Sequence, residues 1–115
     1  AFTIGEIITT EAIGLAELGG GGHLVESGHT SIGGSQPVNP SGGLLSRGHP
    51  LGATGLAQIA EITWQLRGDA GPRQVPNARL GVVETMGGGT AGIDGNACVV
   101  TVLEAPASQG SSAST

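Results

Sequence analysis

Apolar residues recur at helical spacing over residues 2–18, where Ile4, Ile7, Ile8, Ala12 and Leu15 share one face. Glu6, Glu11 and Glu17 fall on the opposite, exposed side, and the Gly19–Gly22 run is expected to stop the helix. Residues 23–48 lose the period and read as a long loop, with a short strand around Pro37-Val38-Asn39. A loop of that length inside a compact domain is usually functional. The helical period returns over Leu51–Arg67, with Leu56, Ile59, Ala60, Thr63 and Leu66 at core spacing and Pro50 suited to the first turn. Gly52 and Gly55 each cost about 1 kcal/mol of helix propensity relative to Ala, so their presence points to close approach by another element or a ligand. Gly68-Asp69-Ala70-Gly71-Pro72 ends this second helix. Residues 79–86 and 96–104 then read as two strands joined by a Gly-rich turn through 87–95.

The predicted order is helix, long loop, helix, strand, strand, which is an α/β arrangement. Two adjacent strands make a poor sheet alone and need further strands beside them. The folded part is expected to span 1–105 as a partial domain, and 106–115, rich in Ala and Ser, to form a flexible tail.

Composition sharpens this picture. The 115 residues include 23 glycines, and aromatics make up 2%, so Phe2 and Trp64 are the only large rings. The core has to come from Ile, Leu, Val and Ala, and a core that thin calls for a partner surface. The formal charge of −5 with only 4 Lys+Arg argues against nucleic acid and against an anionic membrane surface. No apolar run reaches the roughly 20 residues that span a bilayer. Cys98 is alone, which excludes an internal disulfide and makes a reducing compartment, the cytoplasm, the expected setting.

Candidate chemistry concentrates in Asn39-Pro-Ser-Gly42-Gly43-Leu-Leu-Ser46-Arg47-Gly48-His49-Pro50-Leu-Gly52-Ala-Thr54-Gly55. A glycine-dense loop lets backbone approach a ligand and holds a polar side chain in a fixed pose. The run resembles the signature near the C-terminal end of thiolases, in which Asn-x-x-Gly-Gly leads into Gly-His-Pro and then Gly-x-Ser/Thr-Gly. Glu84-Thr85-Met86-Gly87-Gly88-Gly89 resembles the second loop of that family, Cys-x-Gly-Gly-Gly, with Thr85 standing in the cysteine position. Ala1-Phe2 resembles the end of a third motif, Asn-Glu-Ala-Phe or His-Asp-x-Phe, whose polar pair would precede residue 1. Gly-Gly-Leu-Leu beside Gly-His-Pro, and Ala57-Gln-Ile-Ala-Glu61, look like the sterol-carrier or lipid-transfer branch. The resemblance implies the latter part of a thiolase-fold C-terminal half, its layered sheet and helices completed by missing segments or by a partner.

It also implies roles. His49 would activate a nucleophile or polarise a carbonyl as the catalytic residue. Gly48, Gly87, Gly88, Gly89 and Asn39 would shape the substrate site, the glycines offering backbone N–H groups to an oxyanion. Glu84 and Thr85 are secondary candidates, since a threonine hydroxyl is a poor proton shuttle and a strand-end glutamate is commonly solvated. The nucleophilic cysteine of the family belongs to an N-terminal half. Cys98, in an apolar strand, reads as a small buried hydrophobe. His23 and His29 lack a third ligand and read as exposed loop residues, so no metal site is expected. Ser46 lacks a Gly-x-Ser-x-Gly elbow, and no Gly-Lys-Ser/Thr follows Gly48–Gly55.

The leading expectation is the C-terminal segment of an enzyme that makes or breaks carbon–carbon bonds on acyl-CoA thioesters, with coenzyme A thioester as substrate and no covalent cofactor. Alone it is expected to be inactive, its partner being the N-terminal half or another chain. A thiolase-like retro-aldolase acting on a steroid or lipid side-chain acyl-CoA, assisted by a small acyl-CoA-binding protein of OB-fold type, is the variant suggested by Thr85. A non-catalytic packing or CoA/lipid-binding segment is the third reading.

Overall fold

The computed structural model describes residues 2–87 and 97–107. Four helices, α1 (Thr3–Ala12), α2 (Gly21–Glu26), α3 (Gly43–Arg47) and α4 (Thr54–Arg67), precede two strands, β1 (Leu80–Gly87) and β2 (Ala97–Glu104). A 3₁₀ turn, Gly71–Arg73, lies between α4 and β1. The expected second helix and both strands are present within a few residues of their predicted bounds. The Gly-rich turn from residue 88 to 96, and 108–115 of the expected tail, lie outside the described residues.

The first helix is shorter than its apolar period. It ends at Ala12, not at Gly19, because Gly14 turns to φ 83° and the N–H of Leu15 donates back to the Thr10 carbonyl at 2.9 Å. The Gly19–Gly22 run, expected to break a helix, instead starts α2. Its Gly21 N–H donates to the Glu11 carboxylate at 3.0 Å, which satisfies one of the orphan donors of a helix start. Gly21 is required there, since a Cβ would sit 2.7 Å from the Ile7 carbonyl oxygen where α1 packs on α2. The predicted strand at 37–39 does not form. Val38 donates one backbone bond to Thr30, but Asn39 turns to φ 49° and ends any extended run. Pro50 also differs from expectation. It leads a turn whose carbonyl accepts the N–H groups of Ala53 and Thr54, and α4 starts only at Thr54.

β1 and β2 pair antiparallel, from Leu80 opposite Glu104 to Gly87 opposite Ala97. Side chains alternate across a strand, and α4 covers the face that carries Gly81, Val83 and Thr85. Gly81 and Val83 are buried there. A Cβ on Gly81 would collide with Ile62 Cγ2, so only glycine lets α4 lie this close to the sheet. The other face, with Leu80, Val82, Met86, Val100 and Val102, is exposed.

Among the described residues, Ala70 and Val83 are the only buried hydrophobic side chains. The α4 face departs from its predicted core. Leu56 is 73% exposed, whereas Glu61 and Gln65 are buried. Their polar atoms are satisfied: the Arg73 guanidinium donates to both Glu61 carboxylate oxygens at 3.0 and 2.8 Å. Gln65 donates to the Arg73 carbonyl at 2.9 Å and accepts from the Val75 N–H at 2.7 Å. This network ties the segment after α4 to the helix and sets how β1 enters.

Candidate active site

The histidine loop is built by glycine geometry. Asn39 takes a left-handed φ of 49°, and its carbonyl accepts the Gly42 N–H at 2.9 Å. The Asn39 side chain rests against Gly43, where a Cβ would stand 3.3 Å from it. The turn feeds α3, whose last carbonyls are closed by the Gly48 N–H donating to Leu44 at 2.9 Å. Gly48 has φ 87° and ψ 173°, a backbone region open essentially to glycine alone. That conformation throws the chain out of α3 and into His49.

His49 is exposed, but its ring is tethered. Nδ1 lies 2.8 Å from Thr54 Oγ1, and Thr54, at the start of α4, is buried. The Thr54 hydroxyl is also 3.1 Å from the Pro50 carbonyl. Arg47, Gly48, Pro50, Thr54 and Ala57 line a small cavity of about 90 Å³ beside this tether. The next residue, Gly55, faces the end of β1, where a Cβ would come 3.6 Å from Thr85 Cγ2. The structure therefore brings the Gly48–His49 loop, the start of α4 and Thr85 to one end of the helix–sheet layer.

The other candidates sort differently. Glu84 neighbours Thr85 in sequence but belongs to the opposite face of β1. Its carboxylate accepts a bond from the Cys98 thiol at 3.5 Å on that outer face, and its backbone carbonyl accepts from Gln58 Nε2 at 3.2 Å. Strand alternation thus places the Glu84 carboxylate beside Cys98 and on the face of β1 opposite Thr85. Asn39 acts on Gly43 within its own turn and makes no described side-chain bond to His49. Gly87 ends β1 opposite Ala97, and Gly88 and Gly89 lie outside the described residues. His23 stands 3.9 Å from the Glu26 carboxylate, and His29 Nδ1 pairs with the Ser27 hydroxyl. Both are exposed and away from His49 in their contacts.

Cys98 overturns its expectation of burial: it is free and exposed on β2. Among the described residues nothing covers this outer sheet face, so an apolar strand does not bury it. Local desolvation of the thiol, and then the Glu84 carboxylate beside it, push its pKa up. Less thiolate means a weaker nucleophile. Thr54 is the residue that the sequence reading passed over as a role-bearing group. Its signal was its place in Gly-x-Thr-Gly, five residues after His49, but only the turn at 50–53 closes that gap.

Residues 1–103 match the family model described as "Thiolase C-terminal domain-like". Sterol carrier protein 2 of Oryctolagus cuniculus is 54% identical over 92 residues, covering 80% of this chain and 17% of that protein. Acetyl-CoA acetyltransferase of Methanothermobacter thermautotrophicus is 55% identical over 94 residues, covering 80% of this chain and 24% of that one. A benzoylsuccinyl-CoA thiolase subunit of Thauera aromatica is 42% identical over 90 residues, covering 77% of this chain and 23% of the subunit. The matched region thus spans about a fifth of each relative's length. With its Gly48–His49 loop, α4 and paired strands matched as one unit, the chain belongs to the thiolase superfamily as a C-terminal-domain member.

Proposed function

We propose that this chain supplies the histidine-bearing part of an enzyme that cleaves or forms carbon–carbon bonds on acyl-CoA thioesters by acyl transfer. The observation that carries the reading is the tethered His49, released from α3 by a glycine-only backbone and set at the same end of the layer as Thr85. In the cleavage direction, His49 takes the proton of a thiol nucleophile contributed from outside this chain. The thiolate attacks the 3-keto carbonyl, and the C2–C3 bond breaks. Its electron pair leaves as the enolate of a shorter CoA thioester, which is then protonated. The sulfur-bound acyl group passes to the thiol of free coenzyme A. We assign the oxyanion formed in such steps to backbone N–H groups of the Gly87-Gly88-Gly89 sequence, of which Gly88 and Gly89 lie outside the described residues. Sterol-carrier and lipid-transfer relatives support a lipid acyl chain.

A second reading draws on Thr85. A hydroxyl in place of a thiol is a poor proton shuttle, which favours retro-aldol cleavage of a 3-hydroxyacyl-CoA. There the base removes the hydroxyl proton, the C2–C3 bond breaks to release a carbonyl product, and the acyl-CoA enolate takes a proton at C2 to give the shorter acyl-CoA. A small acyl-CoA-binding partner fits this variant.

The test uses the natural full-length protein with acetoacetyl-CoA plus CoA, and separately with a 3-hydroxyacyl-CoA. Thiolysis of the first supports acyl transfer, and cleavage of the second supports the aldolase. In either case His49→Gln is expected to lower kcat by about 10²–10⁴. Turnover that survives His49→Gln, or CoA binding with no turnover of either substrate, would leave only a binding or packing role.

A further inference from the structure

We infer that Thr54 is a positioning residue that locks His49 in its Nδ1–H tautomer and so presents Nε2 as the basic nitrogen. This inference rests on the reading of His49 as the catalytic base. The Thr54 hydroxyl has one proton and two neighbours within bonding distance: His49 Nδ1 at 2.8 Å and the Pro50 carbonyl at 3.1 Å. A carbonyl oxygen can only accept, so the hydroxyl proton goes to Pro50. Its remaining lone pairs then accept from Nδ1–H. The reverse assignment would give the proton to Nδ1 and leave two oxygens facing each other at 3.1 Å with no hydrogen between them. Thr54 is only 5% exposed, which holds its hydroxyl in this arrangement.

The lock has a direct chemical effect. In a neutral imidazole one nitrogen carries the proton and the other the lone pair. With Nδ1–H held by Thr54, the lone pair is on Nε2, the nitrogen left free to take a proton from a nucleophile or return it to a leaving group. The local fold supplies the geometry. The Pro50 turn brings residue 54 back under residue 49, and the buried start of α4 holds the hydroxyl in place. Serine would preserve this function, whereas valine would preserve the shape and abolish the acceptor.

The decisive experiment is nitrogen-15 NMR of the full-length protein labelled at histidine, with His49→Gln identifying the His49 signals by their loss. Above the imidazole pKa, wild type and Thr54→Ser are expected to show Nδ1 protonated and Nε2 bare. Thr54→Val is expected to shift His49 toward the Nε2–H form while circular dichroism stays unchanged. In turnover, Thr54→Val should lower kcat by about 10- to 100-fold with KM little changed, and Thr54→Ser should restore it. A wild-type His49 protonated on Nε2, or an Nδ1–H form that survives Thr54→Val, would overturn the lock. If Thr54→Val collapses the fold, the wild-type and Thr54→Ser spectra still decide the tautomer. An Nδ1–H tautomer in a protein with no acyl-CoA turnover would leave the lock standing and refute the catalytic reading.

Discussion

Gly48 decides where His49 can be. At φ 87° and ψ 173° a Cβ strains against the backbone, and no other residue relaxes into that region. Gly48→Ala is therefore expected to cost about 1–3 kcal/mol, or to be relieved by swinging the loop and losing the His49–Thr54 bond. Thermal denaturation read together with the His49 NMR signals distinguishes the two, and no change in either would remove Gly48 from the site. Open space surrounds the position of a Gly48 Cβ, so the penalty is conformational and not steric. At this scale His49 and Gly48 were legible, because a glycine beside a histidine inside a long glycine-rich run has a chemical reason to be there. Glu84, a secondary candidate, shows what such a pattern leaves open. Adjacency in sequence places two strand residues on opposite faces.

The decisive contact between elements is α4 on β1. It depends on Gly81, whose missing side chain leaves room for Ile62. Gly81→Ala is expected to destabilise the protein by about 1–3 kcal/mol through overpacking. Adding Ile62→Ala should recover part of that loss, because the two changes share one space. Denaturant unfolding of the single and double variants tests this, and strict additivity would show that the contact is not the cause. The period of α4 was legible, and so were both strands. Its buried face was not, because Glu61 and Gln65 look like solvent residues until the Gly71–Arg73 turn returns and caps them. The break of α1 at Gly14 was equally hidden, since the apolar spacing runs on through Leu15.

Across the whole molecule, the ion pair between buried Glu61 and half-exposed Arg73 joins the segment after α4 to the helix. The Arg73 guanidinium bonded to Glu61 holds that carboxyl below its ordinary pKa, against an opposing push from burial. A carboxyl depressed in the folded state contributes stability above its unfolded pKa, and that contribution is lost as pH falls through the folded value. Stability should thus decline below about pH 4.3. Glu61→Gln should flatten that acid limb and lower neutral-pH stability by about 1–2 kcal/mol, since Arg73 is only partly buried and screened. Melting temperatures from pH 3 to 7 check this, and an unchanged acid slope would mean that other carboxyls dominate. At the same scale, Leu80, Val82, Val100 and Val102 form a sheet face that is exposed among the described residues.

By itself the sequence determined the α/β order and the family, and it set His49 within a glycine-rich run. Those depend on local spacing and on motifs in which the chemistry of each residue is carried within a few neighbours. The tertiary structure alone decided which partners those residues have. The turn at 50–53 set Thr54 under His49, strand alternation parted Glu84 from Thr85, and the closing 3₁₀ turn buried Glu61. Each of these joins groups that linear spacing does not relate, because a hydrogen bond or a close packing contact requires a direction in space as well as a position in the chain.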